Sequence, residues 1–105
     1  MHHRQALDVA LTTGDVFAVA LALEGIGATL VAMGQPAAGA ELVASGLAAR
    51  KRLGTPLPPG ERTDTDAALE TAAQQLSRHE YEKAVDRGGE LALDSAVTLA
   101  NAAFD

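Results

Sequence analysis

From Val16 to Met33 the chain runs through eighteen positions with a single charge, Glu24, and holds otherwise almost only Ala, Val, Leu, Ile, Gly and Phe. An apolar helix of this kind has no side to give to water, so it must be covered on several sides by other helices. The same run is the one candidate membrane span. Against that role stand Glu24 at its middle, the low transfer energy of its many Ala and Gly residues, and the lack of Lys or Arg anchors at its ends. A position inside a stack of helices is expected, with no membrane partner.

The stack must be filled without rings. Hydrophobic residues make up 48% of the chain, but aromatics only 3%, so Ala, Leu and Val have to form the interior, which suits close helix packing. Ala, about a fifth of the chain, is the best intrinsic helix former, and β-branched residues never alternate as they would in a strand. The expected class is all-α, and 105 residues suffice for one domain.

Gly and Pro punctuate the chain at Gly14-Asp15, Gly34-Gln35-Pro36, the segment from Gly54 to Gly60, and Gly88-Gly89. The breaks predict about six helices: Arg4–Thr12, Asp15–Met33, Pro36–Leu53, Glu61–Ser77, Glu80–Arg87 and Leu93–Phe104. They are expected to form antiparallel hairpins, either a tetratricopeptide-like repeat array or a closely related helical bundle. Residues 1–53 would supply a repeat hairpin with a preceding half-repeat, 54–60 a Pro-rich connector stiffened by Pro56, Pro58 and Pro59, and 61–105 the C-terminal helices, all in one structural domain.

Spacing assigns the faces. In 15–33, Val16, Val19, Leu23, Ile26 or Gly27, and Leu30 mark one apolar face and Phe17, Leu21, Ala28 and Val31 a second, which predicts two neighbours. In 36–53, Leu42, Val43, Leu47 and Leu53 should point inward and Glu41, Arg50 and Arg52 toward solvent; in 61–77, Ala68 or Leu69, Ala72, Ala73 and Leu76 should be inside. Gly27, Gly39 and Gly46, separated by twelve and then seven positions, are the expected helix-packing residues, with Leu30 and Val43 filling between them. A repeat of about 34 residues fits Asp15 to Leu53.

The chemistry-bearing residues are sparse. The absence of Cys removes thiolate catalysis and Cys-ligated metals and is compatible with a reducing, cytoplasmic setting, while a net charge of −6 argues against direct contact with nucleic acid. His79-Glu80-Tyr81-Glu82-Lys83 begins like a zinc-binding helix but has Lys83 where the second His is needed, and Gly25-Ile26-Gly27-Ala28-Thr29 lacks the third Gly, the Lys and the preceding strand of a phosphate loop. No catalytic, metal or cofactor site is expected, and no enzyme activity. Glu24, among apolar residues, must reach solvent, pair with an Arg of a neighbouring helix, or take up a proton. Arg50-Lys51-Arg52 is the basic cluster, placed where cations complement a helix C-terminus. Glu24, Glu41, Arg50, Lys51 and Arg52 are the expected partner-binding residues, with a small-molecule effector site near Glu24 as the alternative.

The segment from Gly34-Gln35-Pro36 through Leu53-Gly54-Thr55-Pro56-Leu57-Pro58-Pro59-Gly60-Glu61-Arg62, followed by Tyr81, Ala84, Gly88 or Gly89 and Leu93-Asp94-Ser95-Ala96-Val97, resembles the C-terminal helical-repeat region of large bacterial ATPase-type transcriptional regulators of the LuxR and related families. Ala92, where that pattern tends to have a Ser cap, and His79, where Gly is usual, depart from it. The resemblance implies a regulatory, protein-binding module whose partners are attached domains of a parent regulator or another protein. It also implies that the chain starts mid-repeat, leaving an apolar face, with Val19 on it, that would favour a homodimer.

Overall fold

A Gly at a helix end followed closely by Pro is a strong stop-and-restart signal, and it shapes the first half of the fold. The computed structural model describes residues 16–54, 62–91 and 93–104. Among them are five α-helices and no strand: α1 (Val16–Ala32), α2 (Pro36–Arg52), α3 (Thr63–Gln75), α4 (Arg78–Glu90) and α5 (Leu93–Phe104). The all-α class is therefore observed. The helix expected at Arg4–Thr12 and residues 55–60 of the connector lie outside the described residues.

α1 ends in a Schellman turn. The Gln35 N–H donates to the Leu30 carbonyl at 2.8 Å and the Gly34 N–H to the Val31 carbonyl at 3.1 Å. That geometry needs a left-handed residue, supplied by Gly34 at φ 84°. Pro36 then occupies the first turn of α2, where its missing N–H leaves no helical bond unmade. With a turn this short, α1 and α2 are antiparallel neighbours.

α2, not α1, is the hub. It packs against all four other described helices, whereas α1 packs against α2, α3 and α5. The reason is thickness: Gly39, Ala40, Ala44, Ser45, Gly46 and Ala49 are all buried, so neighbours can approach α2 from several sides. α1 carries the larger residues Leu23, Ile26 and Leu30, each fully buried and each contributing about 1.5–3 kcal/mol by transfer out of water. One core lies where these meet Leu42 of α2 and Ala96, Val97 and Ala100 of α5. A second lies across the hairpin, where Val31 and Ala40 meet Ala72 of α3 and Ala84 of α4.

Several expected faces are corrected. Leu21 is 63% exposed rather than covered by a second neighbour, and Leu53 is exposed because it caps α2 just before Gly54, at φ 73°, turns the chain. Ala73 is exposed because the inward stripe of α3 runs through Thr65, Leu69, Ala72 and Leu76. Arg50 is buried and Glu41 half-buried, contrary to the solvent-facing expectation.

α4 differs most from its expected span. It starts at Arg78 because Ser77 forms a capping box: its hydroxyl accepts from the Glu80 N–H at 3.1 Å, and the Glu80 carboxylate accepts from the Ser77 N–H at 3.4 Å. It also runs through Gly88-Gly89, which the sequence reading treats as a break, and stops at Glu90. Gly88 is a contact residue: a Cβ built there collides with the Glu41 carbonyl oxygen and comes within 2.8 Å of the Ala44 Cβ. Nothing lies within 4 Å of a Cβ at Gly89. Gly88→Ala should therefore lower stability by about 1–3 kcal/mol or more through overpacking, while Gly89→Ala should raise it by up to about 1 kcal/mol through helix propensity. Denaturant midpoints of the two variants check this; equal effects would remove the assigned contact role of Gly88.

Candidate functional site

The seam between α1 and α2 is built around missing side chains. A Cβ at Gly27 would lie 2.6 Å from the Gly39 carbonyl oxygen and 2.6 Å from Val43 Cγ2; a Cβ at Gly39 would lie 2.5 Å from the Gly27 carbonyl oxygen and 2.6 Å from Val31 Cγ2. The two backbones touch where real side chains could not fit. One helical turn pair further along, a Cβ at Gly46 would meet the Ala20 carbonyl oxygen at 2.9 Å and Glu24 Cγ at 2.8 Å. All three glycines named from their spacing thus lie at this contact.

Gly46 has a second effect. The space it leaves is where the Glu24 side chain passes, and Arg50, one turn further along α2, is there to meet it. Arg50 Nε donates to Glu24 Oε2 at 2.7 Å and Arg50 Nη2 to Oε1 at 3.1 Å. Both residues are buried, at 6% exposure for Glu24 and 7% for Arg50. A two-point contact of this kind is charge-assisted and geometrically demanding. Since each carboxylate oxygen receives an Arg donor, Glu24 is placed to hold two helices together rather than to transfer a proton.

Glu41 is engaged in a similar way on the other side of α2. Its carboxylate accepts from Arg87 Nε of α4 at 3.0 Å, close to the point where Gly88 rests on the Glu41 backbone. The face around Glu41 and Arg50, expected to be open to a partner, is thus occupied by α4 and α1. Lys51 and Arg52 do reach the surface, in the last turn of α2. Of the five expected partner-binding residues, Glu24 and Arg50 meet each other, Glu41 meets Arg87, and Lys51 and Arg52 are exposed. His79 is exposed on the first turn of α4. Among the described residues no three His, Cys, Asp or Glu side chains gather as metal ligands, and no helix is long and apolar enough to cross a membrane.

Sequence spacing did not find one feature of the seam. Residues 27–34, Gly-Ala-Thr-Leu-Val-Ala-Met-Gly, and residues 39–46, Gly-Ala-Glu-Leu-Val-Ala-Ser-Gly, are the same octad at six of eight positions. The signal is in the sequence, at an offset of twelve, far shorter than the repeat lengths of known helical arrays.

Removing one partner of the buried ion pair leaves an uncompensated charge. Glu24→Leu and Arg50→Met should each cost about 3–5 kcal/mol, whereas the double variant should recover most of the loss. Chemical denaturation of the two single variants and the double variant measures the coupling, and additive losses would show that the pair contributes no mutual stabilisation. Comparison of the chain with models of known families, with curated proteins and with solved structures gives no match in any of the three.

Proposed function

We propose that this chain is a non-enzymatic, tetratricopeptide-like helical module that offers a protein-binding, regulatory surface within a cytoplasmic bacterial signalling or transcriptional regulator. The observation that carries this reading is the outer edge of α1. Leu21 stands 63% exposed on a helix whose sole charge, Glu24, is turned inward toward Arg50. An exposed large apolar side chain on an uncharged helix edge gains free energy when another protein covers it. The antiparallel α1–α2 hairpin with glycines at its crossing also supports the repeat-like reading. Partners under this proposal are attached domains of a parent regulator, another protein, or a second copy of the chain.

The effector-sensor alternative has less support. Both Glu24 oxygens are held by Arg50, so a ligand at that carboxylate would have to displace a bidentate contact.

Val19, expected on the free face, is 1% exposed, so a charge there would disrupt the core instead of probing a surface. Leu21→Glu is the suitable variant. Light-scattering mass at rising concentration should show self-association of the wild-type chain and its loss in Leu21→Glu, with helical circular dichroism unchanged. A wild-type chain that stays monomeric throughout would remove the second copy as partner, and self-association indifferent to Leu21→Glu would remove the α1 edge as the surface.

A further inference from the structure

The repeated octads meet at their leading ends, Gly27 and Val31 of one against Gly39 and Val43 of the other, while Gly46 lies against Ala20 and Glu24 and nothing lies within 4 Å of a Cβ at Gly34. Exchanging Gly27 with Gly39 and Val31 with Val43 leaves the contacts unchanged in kind: each glycine lies against the other glycine's carbonyl and against the valine four residues beyond it. The α1–α2 seam therefore has a local two-fold axis, the symmetry of an isologous dimer interface, inside one chain.

We propose that α1 exchanges between two copies of this chain, the Met33–Gln35 turn acting as the hinge, so that α1 of each copy packs on α2 of the other. Four observations converge on that occupant. The seam is self-complementary at the Gly27–Gly39 crossing, and an exchanged α1 re-forms the asymmetric contacts beside it as well, Gly46 on Ala20 and Glu24 on Arg50. α1 is apolar on nearly all sides and its carboxylate needs Arg50, so once detached it is satisfied only by an α2. The turn is held by backbone geometry rather than by packing: Met33, Gly34 and Gln35 are exposed, and nothing lies within 4 Å of a Cβ at Gly34. Pro36 keeps Gln35 out of the helical region, so the opened turn extends instead of fusing α1 and α2. Three extended residues span roughly 10 Å, comparable to the distance between packed helix axes.

The exchange is separate from the surface contact at Leu21, and the two are distinguishable. Glu24→Leu and Arg50→Met chains, each of full length and one of them mass-tagged, are denatured, mixed and refolded together. In an exchanged mixed dimer the intact Glu24 of one chain meets the intact Arg50 of the other, and the two apolar substitutions meet each other. Mixed dimer should exceed the dimer in either variant alone by about tenfold, since exchange alone repairs the buried charge. A surface dimer is blind to which α1 lies on which α2, so equal amounts in mixture and separate samples overturn the proposal. In a second arm, Gly34→Ala meets no steric obstacle but penalises the left-handed turn in the closed form at both hinges, and should raise the wild-type association constant roughly thirtyfold. A Gly34→Ala chain no more dimeric than wild type also overturns it.

Discussion

The rest of the fold depends on how near the backbones of α1 and α2 come to each other. At Gly27 and Gly39 each helix rests on the other's carbonyl oxygen, a separation that leaves no volume for a methyl group. Close approach multiplies weak dispersion contacts along two whole helices and compensates for a core poor in aromatic rings. It also decides which helix is central. A helix lined with Gly and Ala is thin enough to be approached from more than one side, and α4 uses the same device when Gly88 settles on the Glu41 carbonyl.

Two of the close approaches, at Gly46 and Gly88, are accompanied by an ion pair. Beside Gly46, Glu24 meets Arg50; beside Gly88, Glu41 meets Arg87. The two pairs are not equal in weight. Arg87 is half in water, where a salt bridge contributes little, about 0–1 kcal/mol. Glu24 and Arg50 are both inside, where the cost of desolvation is offset only when both donors meet both oxygens. Sliding α1 by one turn along α2 would separate that pair and drive a Cβ into backbone at the glycines. Sterics and charge therefore specify the same register, as expected of a sequence that encodes one arrangement.

Much of this was legible in the chain. Gly34 with Pro36 marked the α1–α2 turn, the apolar density of 93–104 marked α5, and the spacing of Gly27, Gly39 and Gly46 pointed to a helix contact. The start of α4 was legible but missed, because Ser77 and Glu80 form a capping-box pattern three residues apart. Gly88-Gly89 could not be resolved locally, since a glycine that ends a helix and one that admits a neighbour look alike until the neighbour is placed. The same holds for Glu24 and Arg50. Helical periodicity assigns an arginine to water by default, and whether a carboxylate from a residue 26 positions away finds space beside it depends on Gly46, which is a tertiary fact.

A seam made from two like octads does not by its own contacts distinguish closure within one chain from closure between two. The turn makes that distinction. A three-residue connection holds α1 at a high effective concentration against its own α2, in the millimolar range or above for short links, so closure within the chain competes with exchange and the balance shifts with chain concentration and with strain in the turn. Gly34 is what relaxes it, because an L side chain at φ 84° would strain the Schellman hydrogen bonds that end α1. The glycine with open space around it thus bears on the assembly of the whole molecule as much as the glycines jammed between helices do: they make the interface self-complementary, and it determines which α1 fills that interface.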